Sequence, residues 1–589
     1  MKEVFTKSEG YKSEYSAAIV RVGELIPIEG SDFLAKTLVF GTQIVVRKDI
    51  IKEGDLMLYA SNETQINERF LSVNNMYEVS CRDKNANVDE VNKLYAPYIP
   101  IKEKADKLKK EAKNVKASME QMSTRAKKYE RKVEMLKTEL EGIEDVEERN
   151  AKQLEIDETQ KKADDAYAKA LSKTTVYTNL KKEIEEIHKS GEHIVAEVKA
   201  KCGYMNKYGR VRCLTLRGTA SFGLLLTMNA LFAFDPTITM EEVEAYEGQE
   251  FDTINGELFC KVYVPPIPQE NRRSNSNKAQ KKVSLFDRMI EGEFFFHYDT
   301  LQFQKEIQNF KPEDEVVISV KLHGTSVCLG RLHVNQPIKL PFFKLVYNKI
   351  VDFLHLPKKI RITDTEVVYG PVYTSRTVIK NRYINKEVSG GYYGSDIWSE
   401  YGDIIYPYLS EGMTVYGEIL GYLTGSQKMI QKAYDYGCKE GENKLMLYRI
   451  TTTNDDGTKR EWEVEEVYNW TTELISRMRA NEDENYKKIH PIDILYKGTL
   501  EGLYPDLDTS IHWHEELLER MKNDKEHFGM EMNEPLCTNN EVPREGICIR
   551  KCNDERLECF KLKCYSFHIA EDIRMSENDV DIEMAEGYA

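Results

Sequence analysis

The sequence predicts a mixed α+β protein built from several domains. Three observations lead to this fold class: short strand-like segments near the N-terminus, a long stretch of heptad repeats after them, and apolar strand-like runs throughout the second half of the chain. At 589 residues the chain is too long for a single hydrophobic core, so two to four domains are expected.

The first 96 residues have the pattern of short strands joined by turns. Ala17–Val22 and Gln43–Val46 are rich in β-branched residues, and the segment 48–56 has the turn chemistry expected between the strands of a small barrel. Strand-like sequence resumes at Gly209. We therefore expect one β module made of residues 1–96 and 201–264, interrupted by an insertion at residues 97–200.

The insertion carries two runs of apolar or small residues at heptad spacing, three and four residues apart in alternation. The first run comprises Ile101, Ala105, Leu108, Ala112, Val115, Met119, Met122, Ala126, Tyr129, Val133, Leu136 and Leu140. The second comprises Ile156, Thr159, Ala163, Ala166, Ala170, Lys173, Tyr177, Leu180, Ile184 and Ile187. Gly142 separates the runs and Gly191 ends the second. The pattern predicts an antiparallel coiled-coil hairpin with arms of about 60 Å.

Two polar segments are predicted to lie outside the cores. Residues 265–284 begin with Pro265 and Pro266 and continue through a polar stretch, which is typical of a linker. Residues 566–589 include the strongly acidic run 576–583 and are predicted to form an acidic tail. The segment between them, residues 285–565, is then a separate C-terminal domain.

The most informative motif is Lys321-Leu322-His323-Gly324, at the end of the strand-like run Val316–Val320. A lysine at the end of a buried strand, close to a glycine that lets a ligand or another backbone approach, indicates a covalent lysine nucleophile.

Five further elements follow in the chain and complete a plausible nucleotide site. They contain Arg376, Glu418, Tyr448, Glu545 and the pair Lys561 and Lys563. The cations can hold a polyphosphate, and the aromatic ring can stack on a base. The two carboxylates can orient a ribose or bind a divalent cation, because such cations prefer hard oxygen ligands.

This order of motifs resembles the covalent nucleotidyltransferase superfamily of ATP-dependent ligases and capping enzymes, and is most similar to its RNA ligases. The segments 295–300, 375–381, 209–212 and 216–218 resemble the nick-sealing branch, whose members carry an N-terminal OB-like module. One position departs from the pattern: many RNA ligases have a glutamate directly before the nucleophilic lysine, where this chain has Val320.

The resemblance implies a C-terminal domain of two antiparallel sheets around a nucleotide cleft, preceded by an OB-like β-barrel bearing the hairpin. It implies ATP-dependent sealing of 3′-OH and 5′-phosphate RNA ends through a lysyl-AMP, with Mg²⁺ or Mn²⁺ and an RNA or RNA-containing nicked duplex as partner. The implied catalytic residues are Lys321, His323, Arg376, Glu418, Glu545, Lys561 and Lys563. Those implied to bind the nucleotide are Lys321, Gly324, Arg376, Glu418, Tyr448, Glu545, Lys561 and Lys563, with Glu418 and Glu545 as metal ligands.

The nucleophile must lose a proton before it attacks. The ordinary pKa of a lysine is about 10.4, so only about one amine in two thousand is neutral at pH 7. We expect Arg376, Lys561, Lys563 and a bound Mg²⁺ to lower the pKa of Lys321. We also expect the chemistry of this first step to lie wholly in the C-terminal domain.

The composition is compatible with an intracellular enzyme. The formal net charge is −16, which does not exclude nucleic-acid binding, since a basic groove suffices. Eleven scattered cysteines, no signal peptide and no long apolar run predict a reduced, soluble, cytoplasmic protein. The spacing of Cys548, Cys552, Cys559 and Cys564 is not that of two C-x-x-C knuckles, so we do not predict a zinc site.

Three other functions remain open at this point. A capping guanylyltransferase usually has Asp-Gly where this chain has His323-Gly324, and about 26 residues remain after Lys563, too few for the C-terminal OB domain of a DNA ligase. A non-catalytic scaffold that acts through the coiled coil would not need the lysine and carboxylate motifs. The hairpin itself is either a docking arm for a protein, a grip on the flanking duplex, or a self-contained decoration.

Overall fold

The computed structural model describes residues 3–263, 294, 297, 300–337, 341–353, 365–376, 378–380, 395–454, 456–510, 512–551 and 557–576. The predicted linker 265–284 and residues 577–583 of the predicted acidic run lie outside these residues. Two compact units are present. The first comprises residues 1–65, 211–228 and 240–589, and the second comprises residues 66–210 and 229–239.

The N-terminal strands are short, and most of them pair antiparallel. The first group is β1 (Phe5–Thr6), β2 (Ala17–Arg21), β3 (Ile26–Pro27), β4 (Leu34–Val39), β5 (Thr42–Arg47), β6 (Leu56–Ala60) and β7 (Thr64–Ile66), with a 3-10 helix at Ser13–Tyr15. The second group is β8 (Cys213–Leu216), β9 (Thr219–Phe222), β10 (Leu224–Thr227), β11 (Glu250–Phe251), β12 (Thr253–Ile254), β13 (Glu257–Leu258) and β14 (Cys260–Val262). The strand-like patterns at residues 17–22 and 43–46 thus fall on β2 and β5.

These strands form several small sheets. One has the order β10-β6-β2-β11, and two others have the orders β3-β4-β5 and β1-β12-β13. The sheets β10-β6-β2-β11 and β3-β4-β5 share a core that includes Ala18, Val46, Met57 and Tyr59. Within the described part of the chain these strands form separate sheets, and their pairing does not close into the single continuous barrel that the resemblance implies.

The second unit contains the predicted coiled-coil hairpin. Its helices are α1 (Glu68–Val73), α2 (Val88–Tyr95), α3 (Ile99–Glu141), α4 (Val146–Ser190) and α5 (Glu192–Lys201). The long helices α3 and α4 pack along their length, and the residues buried between them all belong to the two heptad seams: Ala105, Ala112, Ala126, Val133, Leu136, Ile156, Thr159, Ala163, Ala166 and Ala170. Gly142 and Gly191 are the residues that cap the C-terminal ends of the two helices, where the chain leaves the helical conformation.

The C-terminal part of the first unit has two sheets flanked by helices. Its strands are β15 (Leu301–Gln302), β16 (Glu315–Lys321), β17 (Thr325–Pro337), β18 (Thr365–Thr374), β19 (Met413–Gly421), β20 (Asn443–Thr453), β21 (Lys459–Glu461), β22 (Ile489–Pro491), β23 (Ile494–Thr499), β24 (Gly546–Lys551) and β25 (Glu558–Lys563). The helices of this part are α8 (Phe303–Glu306), α9 (Phe342–Phe353), α10 (Ile397–Ile405), α11 (Val464–Ala480), α12 (Leu500–Leu503), α13 (Trp513–Asn523) and α14 (Tyr565–Ser576). Two short helices precede them in the chain: α6 (Met228–Phe234), most of which belongs to the second unit, and α7 (Met240–Ala245).

One sheet has the strand order β15-β25-β24-β16-β23 and the other β18-β17-β19-β20-β21, with β22 beside β20. Apart from the parallel pairs β15–β25 and β20–β22, neighbouring strands in both sheets are antiparallel. The predicted α+β class, with two antiparallel sheets and a long helical hairpin, is confirmed.

The start of the predicted tail is part of the folded domain. Helix α14 begins at Tyr565, and Phe567 is fully buried in the core of the β16 sheet. The prediction of a tail rested on the acidic composition. The acidic run, however, begins near the end of the helix, after the apolar positions that anchor the helix in the core.

Candidate active site

The β16 sheet carries Lys321 to the floor of a cleft. Val316, Ile318 and Val320 are buried on one side of β16, and the strand ends at Lys321, which pairs with Gly546 of the neighbouring strand β24. The next turn leads directly into β17. A Cβ atom on Gly324 would lie 2.3 Å from the backbone oxygen of Ile419, so glycine is required for β17 to approach β19 here.

Glu545 connects two lysines at the centre of this cleft. Its Oε1 atom lies 3.0 Å from the Nζ atom of Lys321 and 3.1 Å from that of Lys563, and its side chain is 3% exposed. Burial favours the neutral acid, but Lys321 and Lys563 outweigh burial and hold the pKa of Glu545 well below its usual range. The carboxylate is therefore ionised and orients both ammonium groups.

The same contact determines the charge of the candidate nucleophile. Burial acts to lower the pKa of Lys321, but Glu545 raises it above its ordinary value. Lys563 acts to lower this pKa, as expected, but the net shift is upward, because the nearest charge is the Glu545 carboxylate.

Glu418 supports the turn that follows the lysine. Its Oε1 atom accepts a hydrogen bond of 3.0 Å from the backbone N–H of Gly324, and its Oε2 atom accepts one of 3.2 Å from the Ser326 hydroxyl. Gln431 donates to the Gly324 carbonyl at 2.8 Å. These contacts hold the backbone between Lys321 and β17 in one conformation.

His323 also lines the cleft, but its ring is packed between aromatic groups. It makes edge contacts with Tyr434 and Phe567 at centroid distances of 5.0 and 5.1 Å, and its backbone N–H donates to the Tyr436 hydroxyl. Burial lowers the pKa of His323 to about 4, so the imidazole is neutral at pH 7.

Arg376 and Tyr448 line the cleft with Lys321. Tyr448 projects from β20 and contacts the ring of His297 edge-on, at a centroid distance of 5.9 Å. The structure thus brings together all of the site residues suggested by the sequence: Lys321, His323, Gly324, Arg376, Glu418, Tyr448, Glu545, Lys561 and Lys563.

Lys561 is paired with a residue from the N-terminal β module. Its Nζ atom lies 2.5 Å from Oε1 of Glu14, and the two side chains are 15% and 17% exposed. Lys561 and Lys563 are two residues apart on β25 and therefore point to the same face. Burial lowers the pKa of Lys561, and Glu14 opposes that shift.

Among the residues near the cleft that were not found from the sequence are Glu14, His297, Gln431 and Glu571. His297 lies in a segment that resembles the nick-sealing branch, so that resemblance was the signal that could have identified it. Glu14, Gln431 and Glu571 belong to no motif, and their positions follow from the tertiary structure.

The cleft offers one carboxylate that fits a divalent cation. The Oε2 atom of Glu545 is buried and has no hydrogen-bond partner among the described residues. Within that part of the chain no three Asp, Glu, His or Cys side chains converge on one point. The donor set therefore fits a cation such as Mg²⁺ or Mn²⁺ that takes its other ligands from phosphate oxygens and water, as Mg²⁺ commonly does.

The part of the chain that forms most of the cleft is similar in sequence to one protein family. The family model described as RNA ligase matches residues 314–563, which include every motif from Lys321 to Lys563. No curated protein sequence matches the chain significantly.

Solved structures similar to the chain are forms of Naegleria gruberi RNA ligase. A lysine-to-alanine mutant with ATP and Mn is 14% identical, covers 94% of this chain and 99% of its own, and has a TM-score of 0.43. An aspartate-to-alanine mutant without ligands is 13% identical, covers 95% and 98%, and has a TM-score of 0.42. The same enzyme with PPi is 13% identical, covers 95% and 99%, and has a TM-score of 0.39.

The helices that the structure describes include none that is both long and apolar enough to cross a membrane. The family match covers residues 314–563, and this part of the chain, with the motifs from Lys321 to Lys563, is similar to RNA ligases.

Proposed function

We propose that this protein uses ATP to seal 3′-OH/5′-phosphate breaks in RNA, in particular nicks in duplexes, by way of an AMP joined to Lys321. One observation carries the proposal. At the end of a buried strand, the Glu545 carboxylate lies 3.0 Å from the Lys321 ammonium and 3.1 Å from the Lys563 ammonium. The cleft around this contact also contains Arg376 and Lys561.

In the first step Lys321 Nζ loses a proton and attacks the α-phosphorus of ATP. The nitrogen–phosphorus bond forms, the bond from the α-phosphorus to the bridging oxygen breaks, and pyrophosphate leaves. Lys561, Lys563 and Arg376 offset the charge that develops on the phosphates. Tyr448 stacks on the base, and Glu418 orients the ribose while it holds the Gly324 turn.

In the second step a 5′-phosphate of RNA displaces Lys321 from the AMP. In the third, a 3′-OH attacks the adenylylated end, forms the phosphodiester and releases AMP. Glu545 would hold the divalent cation through its Oε2 atom, and such a cation supplies charge neutralisation at the transferring phosphate. His323 acts as a neutral packing group under the nucleophile, since its pKa is about 4.

The first test is covalent labelling with ATP that carries radioactive α-phosphate, followed by a denaturing gel. Wild type should retain the label and Lys321→Ala should lose it, because no other described side chain in the cleft has the same position. Label retained by Lys321→Ala would contradict the assignment of the nucleophile. Labelling by GTP and not by ATP would indicate a capping guanylyltransferase instead.

The second test distinguishes ligase substrates. Nicked duplexes should be compared in which the strands flanking the break are RNA or DNA, alongside single-stranded RNA ends. We expect fastest sealing when the 3′-OH strand is RNA in a nicked duplex. Fastest sealing of an all-DNA nick would favour a DNA ligase, and sealing restricted to single strands would contradict the nick-sealing proposal.

A further inference from the structure

The N-terminal β module contributes a carboxylate to the phosphate-binding end of the cleft. Glu14 lies in the 3-10 helix Ser13–Tyr15 and forms a 2.5 Å ion pair with Lys561. The structure gives the Glu14 carboxylate one ion-pair partner among the described residues, and that partner is Lys561.

The backbone of this 3-10 helix is held firmly against the ligase domain. The Nζ atom of Lys305 lies 2.5 Å from the Ser13 carbonyl and 2.8 Å from Oε1 of Glu250, in an ion pair that is 8% and 18% exposed. The Ser61 hydroxyl donates to the Glu14 carbonyl at 2.9 Å. The helix is therefore anchored at its main chain, and the Glu14 side chain extends from it to Lys561.

The surroundings of the helix are those of the phosphate site. Burial and the nearby Glu14 raise the pKa of Tyr15, while Arg376 and Lys563 act in the opposite direction, so the phenol lies near both cations. Lys563 is held by Glu545 on one side, and Lys561 is held by Glu14 on the other. Lys561 and Lys563 of β25 are thus each paired with one carboxylate, and the two carboxylates come from different parts of the chain.

A carboxylate and a phosphate cannot both contact the Lys561 ammonium without a large cost in electrostatic free energy. Both are anionic, and their repulsion is strong where solvent is largely excluded. The ion pair in the structure therefore competes with any phosphate group for the same ammonium.

We propose that Glu14 is a positioning residue that holds Lys561 while the phosphate end of the cleft is empty, and that a phosphate of ATP or of pyrophosphate displaces it. This inference rests on the proposed function, because it assigns Lys561 to the phosphates of ATP. It makes the N-terminal module a participant in the first step, in contrast to the expectation that this chemistry lies wholly in the C-terminal domain.

The exchange has a direct consequence for the reversal of the first step. In that reversal an oxygen of pyrophosphate forms a bond to the α-phosphorus of the lysyl-AMP, the nitrogen–phosphorus bond breaks, and the Lys321 nitrogen takes up a proton as ATP leaves. Glu14 disfavours this reversal, since it occupies Lys561 as soon as pyrophosphate departs. Removing its charge should therefore favour the return of pyrophosphate.

The test uses Glu14→Gln in the full-length chain, with Glu53→Gln as the matched control. Glu53 is an exposed glutamate of the same module, so the control makes the same charge change outside the cleft. Enzyme labelled through α-phosphate is isolated, and the pyrophosphate concentration that removes half of the label is measured. We expect Glu14→Gln to need about tenfold less pyrophosphate than wild type, and to show a similar decrease in KM for ATP, because one charge-assisted contact no longer competes.

The control should match wild type in both measurements. Equal values for Glu14→Gln and Glu53→Gln would overturn the inference, and so would weaker pyrophosphate or ATP binding in Glu14→Gln, which would mean that Glu14 supports the bound state. Absent labelling of wild type, or label retained on Lys321→Ala, would instead refute the proposed function.

A second comparison separates an action through Lys561 from a general effect of charge. ATP affinity is measured by equilibrium binding for Lys561→Met with and without Glu14→Gln. If Glu14 acts through Lys561, the added substitution should leave the affinity unchanged. The same tightening in both backgrounds would contradict the proposed role, because it would show that any loss of negative charge near the cleft has this effect.

Discussion

Among single residues, Glu545 has the strongest influence on the state of the nucleophile. It is almost fully buried and contacts both Lys321 and Lys563 through one oxygen atom. Because Glu545 raises the pKa of Lys321, the amine is protonated at pH 7, and a proton has to leave before the nitrogen can attack.

Replacing Glu545 should change the pH dependence of the first step. In wild type the labelling rate should rise with pH as Lys321 loses its proton. Because Glu545 raises the pKa of Lys321, Glu545→Gln should shift this rise to lower pH, even though its maximal rate falls by about 10²–10³. The measurement is the initial rate of labelling from pH 6 to 10, with the exposed Glu501→Gln as control. An unshifted or upward-shifted profile would contradict the role of Glu545 in setting this pKa.

Tyr448 offers a separate test of base stacking. If its ring stacks on adenine, Tyr448→Phe should keep most of the labelling rate and Tyr448→Ala should lose it, together with about 1–3 kcal/mol of ATP binding. The rate and the KM for ATP are measured for both variants. Equal losses in the two would indicate that the hydroxyl group carries the function.

His323 should affect stability in acid. Its pKa in the folded protein is about 4, against an ordinary value of 6.5, so the folded state disfavours the protonated ring. The contribution of the neutral ring is fully present above pH 6.5 and is lost as the pH falls towards 4. From pH 7 to 4 the free energy of unfolding of wild type should therefore fall by up to about 3 kcal/mol more than that of His323→Gln.

Urea unfolding monitored at several pH values provides this comparison. The exposed His193→Gln serves as control and should follow wild type at every pH. Parallel curves for wild type and His323→Gln would show that the imidazole is not held neutral by its surroundings.

At the scale of secondary-structure elements, the turn between β16 and β17 links the two sheets. It places the nucleophile at the end of one sheet and begins the other within four residues. Gly324 lies at the point of closest approach to β19, and Glu418 of β19 binds the turn from the opposite side. The site therefore depends on the register between β17 and β19.

Gly324→Ala should disturb this register. The new Cβ atom would stand 2.3 Å from the Ile419 backbone oxygen, which cannot move without shifting β19. We expect a loss of about 1–3 kcal/mol in stability and a large loss of labelling. Gly330→Ala, within the following strand β17, is the control: its Cβ would meet a side-chain oxygen of Thr414 at 3.0 Å, so the effect should be smaller. Melting temperature and labelling rate are measured, and equal effects of the two variants would contradict a special role for Gly324.

At the scale of the whole molecule, the N-terminal β module and the ligase domain belong to one compact unit. Besides the Glu14–Lys561 pair, Phe222 stacks on Tyr565 at 4.8 Å, and the Lys522 ammonium donates to the Gly41 carbonyl. Truncation to residues 285–589 would therefore expose buried surface as well as remove a nucleic-acid module, which makes point substitutions the cleaner tests.

The hairpin can be removed with less disturbance. The aromatic ring of Tyr98 lies against Gly191, so the two ends of the hairpin are adjacent. Replacing residues 101–190 with a short Gly-Ser linker should leave labelling unchanged, because the cleft and all its lining residues belong to the other unit. The readouts are labelling, nick sealing and the salt dependence of duplex binding. A loss of labelling would contradict this independence.

Sealing and binding in the same deletion distinguish the roles of the hairpin. If it docks a protein, purified sealing should be normal, and this is the outcome we expect given its regular seam. If it grips the duplex, affinity should fall and the log–log salt slope should flatten by about 0.9 for each lost phosphate contact.

The sequence by itself determined the features that depend on local spacing. The heptad seams predicted α3 and α4, and the order of short motifs predicted the cleft and the residues that line it, because both signals repeat or cluster within a few residues. Tertiary structure decided which of these residues touch. Lys321 and Glu545 meet because β16 pairs with β24 from far along the chain, and Glu14 reaches Lys561 because the N-terminal module packs on the ligase domain. Charge state followed from those contacts: the pKa of a lysine depends on its nearest ion, and that neighbour is not adjacent in sequence.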